Sequence, residues 1–393
     1  MSAICGIVDF GGRSVSADRL RDMARAMILR GRDQSGAYLV SGVGLAHNRM
    51  ILSGGASERQ PYTVTRGGRD YTVVFDGELY NMGDIADIFE IGAFSSSAEA
   101  ALECYIAFGY ECVSYLDGVF AFAIYDEFSK EIFLARDKRG GKPLYYVSEG
   151  ERLIFSSEIK GILRAAPELS EVSALALIKI LEGEGAKVRG GEVYPRISEL
   201  PAGSFAVHSR IGTYRRSYKQ NEEEKSCPIP RRGEVIVPDS EIADAPIEPL
   251  LLEILTAFDY PCFDEYMPGF LAALRARRGG RSVSVADRAL IFGETYALER
   301  ADRLGMMNSV MVSILPCEDS KRVRSIALSK LEKRLKEIAA IRLCPSDVRV
   351  SELLGEDALS FVERQRDARV RIRMYGAALQ TEYWLKNYPL MVK

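Results

Sequence analysis

The chemistry-bearing residues of this chain cluster near its beginning. Cys5-Gly6-Ile7-Val8 places a thiol, a glycine and an apolar run almost at the start of the sequence, the pattern of a nucleophile carried on a first strand. A thiol so placed is a candidate nucleophile. The other cysteines (Cys104, Cys112, Cys227, Cys262, Cys317 and Cys344) are irregularly spaced and form no Cys-x-x-Cys pair. They read as reduced thiols of a cytoplasmic protein, not as a disulfide frame or a zinc site. His47 and His208 are the only histidines, which argues against a His-based metal centre.

The totals set the frame for these residues. A chain of 393 residues exceeds one ordinary core, so two domains are expected. Its 47% hydrophobic and 27% charged residues fit a soluble globular protein, and a net charge of -3 gives no reason to expect a nucleic-acid partner. No apolar run is long enough to span a bilayer, and no basic and apolar signal segment opens the chain.

Elements follow from the pattern. Residues 3–10 read as a buried strand stopped by Gly11-Gly12. Ser16 caps a helix over 17–30, with Leu20, Met23, Ala24 and Met27 on one face. Residues 30–36 read as a polar loop, 37–43, 45–52 and 71–75 as strands, and Gln60-Pro61-Tyr62 as a turn. The stretch Asp76 to Asn81 starts where the last of these strands ends. Ser96-Ser97-Ala98-Glu99 reads as a capping box for a helix reaching about Phe108, stopped by Gly109. Strands follow over 119–126, 131–136, 142–147 and 152–156, with turns at Ser129-Lys130 and Glu149-Gly150. Strands at both ends of a helical middle predict layered α+β architecture.

Cys5-Gly6-Ile7, residues 30–36, Leu45-Ala46-His47-Asn48-Arg49, Gln60-Pro61, Gly77-Glu78-Leu79-Tyr80-Asn81, Leu134-Ala135-Arg136-Asp137 with Lys142-Pro143-Leu144-Tyr145-Tyr146, and Phe155-Ser156-Ser157-Glu158-Ile159-Lys160 occur in one order. Together they resemble the glutaminase domain of glutamine-hydrolysing asparagine synthetases, class II amidotransferases. The resemblance implies a four-layer αββα N-terminal-nucleophile hydrolase domain. It gives Cys5 the nucleophile role, with Asp76 and Gly77 at the oxyanion position and Arg49, Glu78 and Ser97 as substrate-binding positions for glutamine. In such a site the cysteine's own α-amine, with a pKa near ~8, takes the thiol proton. An arginine grips the substrate carboxylate bidentately.

Three departures accompany the resemblance. Met1-Ser2-Ala3-Ile4 precede Cys5, so its nitrogen is a peptide nitrogen and hydrolysis requires cleavage between Ile4 and Cys5. Asp76 stands where the family has an asparagine donor, and losing one such donor typically costs about 100- to 1000-fold. Ser97 replaces an aspartate. Plainer readings stand beside these: Cys5 as an inert core cysteine, Arg49 as an ion-pair residue, Asp76-Gly77 as a turn, Ser96-Ser97 as a helix cap, and Cys104 and Cys112 as packing residues.

The second half follows the family through Leu200-Pro201-Ala202-Gly203-Ser204 and residues 213–218. Residues 220–239, charged and proline-bearing, then read as a linker. The resemblance implies ATP and magnesium as cofactors, but the Ser-Gly-Gly-x-Asp-Ser nucleotide loop has no counterpart. Gly279-Gly280 lacks the aspartate, and Ala289-Leu290 stand where relatives have Asp-Glu. The expected division is a glutaminase-like domain over 1–165, a connecting segment over 166–220, and a reduced, mostly helical remnant of an α/β synthetase domain over 221–393. That last part includes helices near 322–342 and around Tyr375 to Trp384; Arg364, Arg366, Arg369, Arg371 and Arg373 read as a solvated face. Three functions stay open: glutamine hydrolysis at Cys5 after leader removal, a catalytically inactive scaffold or partner subunit (with a partner protein or as a homo-oligomer), and amide formation with a partner.

Overall fold

The computed structural model describes residues 2–49, 58–184, 188–218, 246–261, 320–343, 348–388 and 390–392. The sequence features expected at Leu52, residues 220–239, Gly279-Gly280 and Ala289-Leu290 lie outside these. The chain divides into two compact units, one built mainly from residues 1–167 and 197–227, the other mainly from residues 168–196 and the C-terminal helices.

In the first unit, two six-stranded antiparallel sheets stack face to face. The strands are β1 (Ser2–Asp9), β2 (Gln34–Val40), β3 (Val43–Arg49), β4 (Tyr62–Arg66), β5 (Arg69–Leu79), β6 (Gly118–Asp126), β7 (Glu131–Arg136), β8 (Tyr145–Glu149) and β9 (Arg152–Ser156). β10 (Glu171–Val172) belongs to the second unit, and β11 (Ser198–Glu199), β12 (Ser204–Ser209) and β13 (Gly212–Ser217) return to the first. Sheet one runs β11-β8-β9-β1-β3-β2 and sheet two β13-β12-β7-β6-β5-β4. Ile4, Val8, Val43, Leu45 and Phe155 of sheet one pack on Val74, Ala121, Ala123, Ile132, Leu134 and Ala206 of sheet two, forming the inner core.

Helices cover both outer faces. α1 (Ala17–Ala26) and α4 (Ile159–Ala165) lie on sheet one. α2 (Met82–Ile88) and α3 (Ser97–Phe108) cover sheet two, where Phe75, Phe120, Phe122 and Phe133 meet Ala98, Ala101, Leu102 and Tyr105. This is the αββα order expected from the sequence. Local chemistry explains its parts. Ser16 Oγ accepts from Arg19 N at 3.3 Å and starts α1. Ser96 Oγ accepts from Glu99 N at 3.1 Å and starts α3, while the Glu99 carboxylate turns to Ser95 N at 2.7 Å, one residue before the expected box partner.

Several boundaries differ from the sequence expectation. α1 stops at Ala26, and residues 27–30 turn so that Arg30 enters the protein interior. The expected polar loop over 30–36 therefore holds a buried arginine and the start of β2. Gly42, at φ +77° and with its Cα facing the Asp9 carbonyl, closes a hairpin between β2 and β3 that the sequence reading ran through as strand. β5 runs to Leu79, so Asp76, Gly77 and Glu78 are strand residues and not the start of a loop. Residues 198–217, expected in a connecting segment, supply β11 to sheet one and β12 and β13 to sheet two. Phe205 and Val207 reach one face and Ala206 the other, the alternation of a strand packed on both sides.

The second unit contains α5 (Ala174–Lys179), α6 (Gly190–Val193), α7 (Ile247–Phe258), α8 (Ser320–Arg342), α9 (Arg349–Leu354), α10 (Ala358–Glu363), α11 (Ala368–Asn387) and β14 (Met391–Val392), the last paired in parallel with β10. Its centre is α11, where Tyr375, Leu379 and Trp384 are buried and Trp384 meets Tyr194 edge-on. On α8, Leu331, Leu335 and Ala339 are buried and form one apolar face.

Candidate active site

Cys5 sits in the middle of β1, opposite Ala46 of β3 on one side and Ser156 of β9 on the other. Its nitrogen is a strand amide with Ile4 on its acyl side, so it has no lone pair to act as a base. Ile4 and Val8 point into the core between the sheets. Side chains alternate along a strand, so Ala3, Cys5 and Ile7 point to the opposite, helix-covered face. Ser156, the cross-strand neighbour of Cys5, agrees: its hydroxyl donates to Met27 Sδ at the end of α1, at 3.1 Å. Cys5 is 1% exposed, and burial pushes its thiol up to about 12. A thiol held there is almost entirely protonated at neutral pH.

The three residues before Cys5 are seated as firmly as the strand itself. Ser2, Ala3 and Ile4 pair with Arg49, Asn48 and His47 of β3. Ser2 N donates to Asp76 Oδ1 at 3.1 Å, and Ser2 O accepts from Arg30 Nε at 2.8 Å. Ile4 N donates to Ser157 Oγ at 3.0 Å, and Ile4 O accepts from Ser157 N at 2.9 Å.

Asp76 is the centre of this polar end of the domain. It lies on β5 in phase with Val74, on the face turned toward sheet one. Its carboxylate is 2.7 Å from the Arg30 guanidinium and 3.8 Å from Lys142 Nζ, all three side chains being at most 1% exposed. Arg30 also stands 3.6 Å from Glu158, which Lys160 meets at 2.5 Å. The carboxylate thus accepts from a main-chain amide and the Arg30 guanidinium, with the Lys142 charge nearby. In that arrangement it offers no proton to an oxyanion, and it faces away from the side of β1 that carries the thiol. The sequence reading quoted Arg30, Lys142 and Glu158 within family motifs but gave them no role. The signal was their position in those motifs, since charge in a polar stretch otherwise reads as exposed.

The remaining candidates are spread around this end. Gly77 has φ +135°, and an added Cβ would lie 2.0 Å from the Val119 carbonyl, so only glycine fits. Glu78 is exposed. Ser97 is the first residue of α3; its hydroxyl accepts from Leu79 N at 3.0 Å and donates to Met82 Sδ at 3.6 Å, tying the helix start to the end of β5. Arg49 ends β3, and its guanidinium donates to the Glu58 carbonyl at 2.6 Å and to Glu58 Oε2 at 2.7 Å. His47 is buried between the sheets, and burial first, then the Arg49 charge, lowers its imidazole to about 3, so it is neutral. The structure therefore brings together Asp76, Arg30, Lys142 and residues 2–4. It leaves the Cys5 thiol on the other face, Glu78 at the surface and Ser97 in a structural bond.

The chain is 32% identical over 230 residues to asparagine synthetase [glutamine-hydrolyzing] 3 of Bacillus subtilis, covering 57% of this chain and 38% of the relative. It is 30% identical over 167 residues to asparagine synthetase [glutamine-hydrolyzing] 2 of the same organism, covering 41% of this chain and 22% of the relative. The matches thus span well under half the length of these curated relatives. Among solved structures, the glutamine phosphoribosylpyrophosphate amidotransferase of B. subtilis is similar at 15% identity and a TM-score of 0.42, over 61% of this chain and 52% of that one. Residues 1–219, more than half of the 393-residue chain, match the family model described as glutamine amidotransferase domain, and the chain belongs to that family.

Proposed function

We propose that the chain, with residues 2–4 in place, is a catalytically silent glutamine amidotransferase domain that acts as a scaffold or partner subunit in the cytoplasm. The observation that carries this reading is the seating of residues 2–4. They extend β1 past Cys5, occupy the Asp76 carboxylate and the Arg30 guanidinium, and leave the Cys5 nitrogen an amide. A glutaminase needs a thiolate, a base beside it and a donor for the oxyanion. Here burial keeps the thiol protonated, the nitrogen is acylated, and Asp76 is an acceptor. Glutamine remains the substrate class to which the family's site is suited.

Purified full chain incubated with glutamine is expected to release no glutamate above the uncatalysed rate while its intact mass retains Ser2. Steady glutamate release by a chain whose mass retains Ser2 overturns the proposal.

Cys5-Gly6, Gly77 and Arg49, kept at the family's positions in the sequence, support a second reading, a latent glutaminase in which loss of residues 2–4 lets the Cys5 end of β1 re-seat at Asp76. A variant lacking Ser2 to Ile4, in which methionine excision leaves Cys5 first, gives the thiol a free amine and removes the occupant of Asp76. On this reading glutamate release appears in that variant and rises by about 100- to 1000-fold when Asp76→Asn restores a neutral donor. No release from either variant removes the latent reading and leaves the silent one. Amide formation from aspartate and ATP is the weakest reading. The sequence has no Ser-Gly-Gly-x-Asp-Ser loop and carries Ala289-Leu290 where relatives have Asp-Glu.

A further inference from the structure

We propose that Glu58 is an internal carboxylate that closes the domain's own carboxylate clamp. This rests on the reading that the polar end of the first unit is the inherited amino-acid site, and it adds a device that holds the site shut independently of residues 2–4. Arg49 is the only residue of β3 whose cation reaches beyond the strand end toward Glu58, and it makes two contacts there. One guanidinium nitrogen donates to the Glu58 carbonyl at 2.6 Å and the other to its carboxylate at 2.7 Å. The arginine side chain is 10% exposed and that of Glu58 30%, so the pair is sheltered on the arginine side and open on the glutamate side. That asymmetry suits a plug: the fixed partner is buried and the removable one faces water.

The fold explains which partner moves. Arg49 is anchored by β-pairing with Gln34 on one side and Ser2 on the other. Glu58 lies outside any helix or strand, just ahead of β4. Displacing it exchanges one carboxylate for another on the same guanidinium. The ligand class admitted by such an exchange is a small free carboxylate, such as an amino acid. The guanidinium holds Glu58 through its carbonyl and one carboxylate oxygen, whereas a free carboxylate can engage both nitrogens at once; the internal group competes through the high local concentration of a tethered partner.

The test is labelling of arginines by phenylglyoxal at neutral pH, read by peptide mass mapping on the full chain, with L-glutamate as the probe ligand. Arg49 in the native protein is expected to react at least tenfold more slowly than the exposed Arg13 and Arg21, which serve as internal references. Glu58→Gln is expected to speed Arg49 labelling about tenfold, and millimolar L-glutamate should then slow it again, in the variant but not in the native chain. Glu58→Asp, which keeps the charge on a shorter arm, should fall between the two. Equal Arg49 labelling in native and Glu58→Gln proteins overturns the proposal, as does equal protection of both by L-glutamate. Neither result depends on glutamate release, so this proposal and the silent-domain reading fail separately.

Discussion

Replacing Asp76 by asparagine tests the electrostatics of the site most directly. The change keeps shape and volume and removes one charge from a place with no exposed surface. Arg30 loses a carboxylate at 2.7 Å and Lys142 one at 3.8 Å. Removing one partner of a buried ion pair typically costs about 3–5 kcal/mol, because the other charge stays desolvated without compensation. Arg30 retains the Ser2 carbonyl at 2.8 Å and Glu158 at 3.6 Å, which places the expected loss at the lower end, about 3 kcal/mol. That corresponds to roughly 150-fold in the folding equilibrium. The readout must come from the first unit. Trp384, the single tryptophan, lies in the second, so tryptophan fluorescence would follow the wrong part of the molecule. Native-state hydrogen exchange of peptides from β1 and β5 supplies it, at the slowest amides, where opening approaches global unfolding. The double variant Arg30→Met/Asp76→Leu, which replaces the pair by apolar groups, should recover most of the loss. A change below about 0.5 kcal/mol for Asp76→Asn, the level of an ordinary surface substitution, would refute the assignment of Asp76 to a buried ion cluster.

Other expectations follow from the same geometry. Cys5, with its thiol pushed up to about 12, should hold about one thiolate in ten thousand at pH 8, so iodoacetamide should leave it unlabelled in the native chain and label it in urea; equal labelling in both would contradict its burial. Burial lowers the His208 imidazole from 6.5 to about 4, so the unfolded chain binds more protons between those values. Stability present above pH 6.5 should be lost as pH falls through that window, by about 3 kcal/mol, and His208→Gln should flatten the loss in urea titrations followed by circular dichroism. Gly77→Ala should destabilise the first unit by more than about 3 kcal/mol, since positive φ and a carbonyl 2.0 Å away both oppose a Cβ; slow exchange retained in β5 and β6 would show otherwise.

Much of the fold could be read from the sequence because local signals coincide with tertiary structure. Ser16 and Ser96 mark helix starts, Gly109 marks an end, and β7 and β9 fall on their apolar runs. What could not be read has definite causes. β1 is apolar on both faces, so periodicity alone does not say which face Cys5 takes; its pairing with Ser156 and the contact with Met27 decide that. Arg30 sits in a polar stretch where charge ordinarily means exposure, and its partners Asp76, Ser2 and Glu158, all remote in sequence, explain its burial. β12 was hidden in a supposed connector because its partner, β7, is remote in sequence. The family motifs located Asp76 and Arg49, but not what each side chain holds, since residues 2–4 and Glu58 reach them only through the fold.

The return of residues 198–217 to the sheets bears on how the protein comes into being. β7 pairs with β12, Arg136 donates to the Leu200 carbonyl at 2.9 Å, and Gly203 N donates to the Asp137 carbonyl at 2.7 Å. The Tyr218 hydroxyl completes this seam by donating to the Arg136 carbonyl at 2.5 Å. During synthesis sheet two therefore waits, with one edge of β7 bare, while the helices of residues 168–196 emerge. A nascent or recombinant fragment stopped near residue 165 carries an unpaired strand edge, a template for association with other chains. Fragments extended through Tyr218 close that edge, and solubility should divide sharply between the two lengths.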